Sequence, residues 1–172
     1  MDADLPLVYP VEVPAGTGGD QPLIPGDAVT TPYELARTQI GQAECHGPNS
    51  NIVIDGYLAS VGALTGNGDE TSWCSAFVQW CCQNATPPVE GTGRPNARSW
   101  LVWGVQVPPG RQREGDVCVL WRGDPRGWQG HVGFYVRRTI DERIILLAGN
   151  QGDRVCEASF AESRVLAYRR PA

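Results

Sequence analysis

Two residue types in this chain can make and break bonds at neutral pH, and both are scarce: six cysteines, at 45, 74, 81, 82, 118 and 156, and two histidines, at 46 and 131. Cys74 is distinguished by its surroundings. Asp69-Glu70-Thr71-Ser72-Trp73 leads into Cys74-Ser75-Ala76-Phe77-Val78-Gln79-Trp80-Cys81. Ser72 is a good N-cap, and Ala76, Phe77, Trp80 and Cys81 recur on one helical face. Cys74 then falls in the first turn, where free backbone N–H groups and the positive end of the helix dipole favour a thiolate. An isolated cysteine is most often just a small buried hydrophobe; the rest of the chain argues for more.

A thiol is only a few per cent ionised at neutral pH, so a nucleophilic cysteine needs a base, and the base needs a group to orient it. His46 sits in the loop Cys45-His46-Gly47-Pro48-Asn49 and reads as surface. His131 begins an apolar run, His131-Val132-Gly133-Phe134-Tyr135-Val136, after Gly130, which lets another backbone or a ligand come close. A further run ends Ala148-Gly149-Asn150-Gln151-Gly152-Asp153. If the two runs are hairpin neighbours turning at Asp141-Glu142, Asn150 returns level with His131, and its amide oxygen can accept the imidazole N–H. Asp153 is the alternative third member. The competing reading of Asn150 is a turn residue among glycines.

The elements that must position these groups fall into two blocks. Thr31-Pro32-Tyr33-Glu34 carries a capping box with proline at the first helical position and predicts a helix over about 32–44. Asn51 caps a second helix, the cysteine helix should run over about 73–84 before Pro87-Pro88, and Asn96 caps a short one ending at Gly104. From Gly115 the pattern changes to strands, at 116–121, 131–136, 144–150 and 165–168, the last closing a meander. Helices first and antiparallel strands second make an α+β chain. Residues 1–30, with five prolines and four glycines, read as a leader or linker in which Leu7 to Val13 could lay down a strand, and 31–172 as one domain.

Composition removes several function classes. All fourteen basic residues are arginine, the net charge is −5, and no basic stripe suits nucleic acid. No apolar run approaches the roughly 20 residues that cross a bilayer, and the first residues lack the basic and apolar regions of a secretory signal. The cysteines show no Cys-x-x-Cys spacing and only two histidines could complete a set, so neither a metal nor another cofactor is expected. One disulfide using Cys45 or Cys156 is compatible with work outside the cytoplasm.

Trp73-Cys74-Ser75-Ala76-Phe77, Ala97-Arg98-Ser99-Trp100-Leu101, Gly115-Asp116-Val117, Gly130-His131-Val132-Gly133-Phe134-Tyr135 and Gly149-Asn150-Gln151-Gly152 together resemble, in order, the CHAP branch of the NlpC-type cell-wall peptidases, over roughly 31–170. The resemblance implies a papain-like fold, with N-terminal helices and the nucleophile at a helix start packed on a C-terminal antiparallel sheet. It implies Cys74 as nucleophile, His131 as base and then acid, and Asn150 as orienting residue. Trp73, Trp121 and Trp128 are placed near the cleft mouth as substrate contacts. Two departures stand out: Ala148 takes a position that is acidic in many members, and no glutamine shortly precedes Cys74 to serve as an oxyanion donor.

The expected function is hydrolysis of an amide bond in peptidoglycan, as a stem-peptide endopeptidase or a sugar–peptide amidase, through a thioester. Two alternatives come from other classes: a catalytically weak wall-binding or phage structural module, and a papain-like deamidase or transglutaminase acting on a protein. Such a hydrolase would be made in the cytoplasm as a monomer and reach the periplasm or wall by phage lysis or injection, as lysins and type VI effectors do. An immunity protein or the secretion apparatus would then be its partner.

Overall fold

A computed structural model describes residues 29–45, 49–62 and 72–172. Most of the leader, its strand expected over 7–13, the His46 loop and Asp69-Glu70-Thr71 lie outside the described residues.

The helices form where capping chemistry places them and stop where the chain has other hydrogen-bond partners. In α1 (Pro32–Thr38) the Thr31 side chain accepts from the Glu34 N–H while the Glu34 carboxylate accepts from the Thr31 N–H. The capping box satisfies donors that the first turn would otherwise orphan. Expected to reach 44, the helix ends six residues sooner. Gly41 takes φ +96°, and the segment after it pairs with the chain near 154 through Gly41 N–H to Val155 O, Val155 N–H to Gln42 O and Glu44 N–H to Asp153 O. Asn51 caps α2 (Ile52–Ala59) through the Val53 N–H. The cysteine helix α3 (Cys74–Gln83) starts one residue later than expected. Asn96 caps a 3-10 segment, Ala97–Val102.

Six antiparallel strands follow: β1 (Val105–Val107), β2 (Val117–Trp121), β3 (Gly130–Arg138), β4 (Arg143–Ala148), β5 (Cys156–Ala161) and β6 (Val165–Arg170), in the order β1-β6-β2-β3-β4-β5. The chain is thus α+β as its pattern indicated, with two strands unforeseen. β1 is three residues long ahead of two prolines, and β5 (Cys-Glu-Ala-Ser-Phe-Ala) is an edge strand with few large apolar residues. The expected meander also needs correcting: β6 does not follow β5 across the sheet but crosses to pair with β2, Cys118 opposite Tyr168. That places β2 and β3 at the centre, where a strand buried on both faces reads as the continuous apolar run seen at 117–121.

Two cores flank the sheet. On the helix side, Trp73, Phe77, Tyr57 and Trp100 pack with Val132, Phe134 and Leu147; Phe77 and Phe134 meet edge to face at 6.5 Å between centroids. On the other side Cys118, Leu120, Ile144, Leu146 and Tyr168 form a smaller cluster. The close seating of α3 depends on Gly149, where a Cβ would lie 2.3 Å from the Trp73 ring. Among the described residues no helix is long and apolar enough to cross a membrane, and no cluster of His, Cys, Asp or Glu could hold a metal ion.

Candidate active site

The cysteine reaches the site because α3 begins at it. Trp73 is the N-cap residue and no side chain caps the helix, so the N–H groups of the first turn remain available around Cys74. Ser72, expected as the cap, sits outside the helix. Its hydroxyl instead favours the Cys74 thiolate. The helix start is held at three points. Trp73 Nε1–H donates to Glu44 Oε1 at 2.7 Å. Ser75 Oγ–H donates to Arg94 O at 2.7 Å, and Trp100 Nε1–H donates to Ser75 Oγ at 2.8 Å. The Cys-Ser and Arg-Ser-Trp blocks of the sequence are thus two halves of one fastening.

Cys74 is 4 % exposed. Burial pushes its thiol above the ordinary value; the Val132 N–H, the charge of Arg122, the Ser75 N–H and the Ser72 hydroxyl, in that order, pull it down without reversing the shift. The sequence led to the opposite net direction. The donors of a helix start are present, but desolvation of the ion outweighs them. The Val132 N–H is free to meet the thiol because pairing between β3 and β4 begins only at Phe134–Leu147, so β3 is open at its N-terminal end.

His131 is fully buried at that open end. Extending the β3–β4 register places Asn150 opposite His131, as expected, but the strands have separated there and the contact does not form. Asn150 takes φ +58° in the turn after β4 and its Nδ2 donates to Glu44 Oε1 at 2.9 Å. This makes it a brace for the carboxylate that holds Trp73. The amide that meets the imidazole belongs to the next residue: Gln151 Oε1 lies 3.1 Å from His131 Nε2. Its own NH2 donates to the carbonyls of Leu146 and Cys156, which fixes the amide with its oxygen toward the ring. His131 therefore carries its proton on Nε2 and keeps a lone pair on Nδ1. Asp153 is exposed in the following turn, with its backbone rather than its carboxylate engaged.

Nδ1 has a partner that the sequence did not bring to notice. Arg122 Nη2 donates to it at 3.2 Å. Burial, then the Arg122 charge, and less strongly Arg164, lower the His131 pKa to about 3, against the raising effect of Gln151. No hydrogen bond joins Cys74 Sγ to either ring nitrogen among the described residues; both nitrogens are taken, and Arg122 acts electrostatically on thiol and imidazole alike. The resting pair is neutral thiol and neutral imidazole. Arg122 opens the β2–β3 loop, which Arg98 staples by donating to the carbonyls of Gln129, Pro125 and Asp124.

The three tryptophans diverge. Trp73 is fully buried and serves packing rather than a substrate. Trp121 is half-buried, its ring under the Arg164 guanidinium at 5.6 Å. Trp128 is 76 % exposed on the loop. Cys81, Cys82, Cys118 and Cys156 form no disulfide; Cys156 Sγ–H donates to Gln151 O at 3.4 Å.

Family models and curated proteins give no match to this sequence. Solved structures similar to it include the peptidoglycan hydrolase RipB from Mycobacterium tuberculosis, 19 % identical with a TM-score of 0.46 over 78 % of this chain and 60 % of that one. An NLP/P60-family protein similar to a lipoprotein, from Staphylococcus aureus, is 13 % identical at 0.42 over 74 % and 45 %. The P60 domain of an antigen from M. avium paratuberculosis is 17 % identical at 0.43 over 82 % and 96 %. The chain thus spans less than two thirds of the first and less than half of the second.

Proposed function

We propose that this protein is a cysteine amidohydrolase acting on an amide bond of peptidoglycan, with Cys74 as nucleophile, His131 as base through Nδ1 and Gln151 as the group that orients it. The observation that carries the reading is the contact of Gln151 Oε1 with His131 Nε2 at 3.1 Å, which sets the ring proton on Nε2. Gln151 fixes the imidazole so that the basic nitrogen is the one not bound to the amide, on the residue that precedes Val132, whose N–H meets the Cys74 sulfur. A base held in one tautomer by an amide oxygen and a thiol at a helix start, both under the charge of Arg122, are the groups that acyl transfer through a thioester requires. The ordered sequence blocks resembling cell-wall peptidases supply the substrate class.

In the reaction the Cys74 thiol gives its proton to Nδ1 as sulfur attacks the scissile carbonyl. The imidazolium returns that proton to the departing amine, leaving a thioester. His131 then takes a proton from water, which attacks the thioester and regenerates the thiol. The uncapped N–H groups at the start of α3 are the donors available to the developing oxyanion, where one donor is typically worth about two to three decades in rate. The neutral resting pair makes proton transfer part of the attack rather than a step before it.

Purified sacculi incubated with the wild type should release amide-cleavage fragments that mass spectrometry identifies, and with Cys74→Ala should release none. Equal release by both would overturn the mechanism. A wall-binding module without turnover is the second reading, favoured by the occupied Nδ1; binding to sacculi with no fragment from the wild type would establish it.

A further inference from the structure

We infer that Arg122 is the residue that reads the substrate, pairing with a carboxylate beside the scissile amide and, in doing so, leaving the Nδ1 of His131 free to take the thiol proton. The inference rests on the catalytic reading above and adds the specificity that reading lacks.

The geometry gives Arg122 two competing places. A guanidinium has five N–H donors in a planar fork suited to a carboxylate, and here its side chain spends one of them on a neutral imidazole nitrogen. That nitrogen is the lone pair the reaction needs, because Gln151 holds the proton on the other one. With Arg122 in place the proton of Cys74 has no acceptor. The cap is also a weak use of a cation, since charge-assisted bidentate pairing with a carboxylate is stronger than a single bond to a neutral acceptor.

No carboxylate among the described residues satisfies that demand. Among the described residues the ion pairs involve Arg126, Arg137, Arg138 and Arg170, and no carboxylate lies within 4.0 Å of Arg98, Arg122 or Arg164. Arg98 is spent on three loop carbonyls and Arg164 on the Trp121 carbonyl and two rings. The net-acidic chain therefore leaves, among the described residues, positive charge without a paired carboxylate around the open end of β3, and of these three arginines Arg122 spends the fewest donors on the protein. The loop root is firm, as Arg122 N–H donates to Gln129 O at 3.3 Å, so the movement required is one of side chain only. A substrate carboxylate would both attract the guanidinium and neutralise its charge beside the imidazole, making His131 a better base. An uncharged amide analogue would leave the cap in place.

The test has two arms. In the first, the imidazole signals of full-length Cys74→Ala, with only two histidines to assign, are followed by NMR against pH in trifluoroacetate, which stays ionised where His131 titrates, and in trifluoroacetamide at fixed ionic strength. Trifluoroacetate should raise the His131 pKa by at least one unit and trifluoroacetamide should not; Arg122→Gln, without trifluoroacetate, should already titrate higher and no longer respond. An unmoved titration in trifluoroacetate, or the same His131 titration in Arg122→Gln as in its parent, would overturn the inference whether or not the protein cleaves anything. In the second arm, wild type acts on native sacculi and on sacculi whose carboxyl groups have been coupled to methylamine. Release should fall at least tenfold on the coupled wall for the wild type and be nearly equal on both for Arg122→Gln. Equal release by the wild type would sink the inference while leaving the hydrolase intact, and no release from either wall would sink the hydrolase while the titration still judges Arg122.

Discussion

The two ends of α3 both bury cysteine. Cys74 in the first turn is 4 % exposed, and Cys81 and Cys82 in the last turn are fully buried. Burial raises all three thiols, Cys82 to about 12 and Cys81 well above its ordinary value, and at Cys81 the nearby Cys82 raises it more while a single backbone N–H opposes the rise. At Cys74 the same burial is opposed by two backbone N–H groups, a guanidinium and a hydroxyl. Desolvation alone makes an inert thiol; a thiol that is desolvated yet surrounded by donors that stabilise its ion can be drawn into chemistry when a substrate arrives. The helix supplies both environments because its N-terminus offers unpaired N–H groups and its C-terminal end, under Val89 and the α1 segment, offers only packing.

Several experiments break or sharpen that contrast. The largest effect is on turnover. Cys74→Ala should lower fragment release from sacculi by about three decades or more, whereas Cys82→Ala should leave it within about threefold; a Cys82 variant as dead as the Cys74 one would dissolve the distinction between the ends. Next is the dependence of stability on pH. The fold holds His131 neutral down to about pH 3, whereas the unfolded chain takes that proton near 6.5. Between these values the unfolded state binds more protons. Stability is therefore complete above the window and falls as pH drops through it, at up to about 1.4 kcal/mol per unit. Urea titrations from pH 7 to 4 should show this slope for the wild type and a shallower one for His131→Gln.

Ser75→Ala should cost about 1–3 kcal/mol in urea unfolding, because it strands the buried Trp100 N–H at the fastening of the helix start. A loss below about 0.5 kcal/mol would show that the fastening contributes little. The smallest effect is Cys82→Ala itself, about 1 kcal/mol for a small buried side chain, with no change in the pH profile of activity.

Much of the fold was legible from local chemistry. The Thr31–Glu34 capping box, the Asn51 and Asn96 caps, and the shift from helical periodicity to a short continuous apolar run after Gly115 all act over a few residues, and each element appears where its signal lies. What stayed hidden depends on distant segments. Helix α1 ends early because residues 41–44 find partners near 154. β6 lies beside β2, and a strand as short as β1 exists only because β6 is there to pair with it.

The site divides along the same line. Sequence alone put Cys74 in the first turn of a helix and His131 at the start of a strand, since capping and periodicity are local properties, and it placed Asn150 at the end of the neighbouring strand. Which amide meets the imidazole was decided by the left-handed backbone of Asn150, which turns that side chain to Glu44 and brings Gln151 to the ring. The direction of the thiol's shift was decided by burial, and the partner of Nδ1 by a loop that returns from β2. Both depend on what the folded chain packs around a group, which no spacing within its own element encodes.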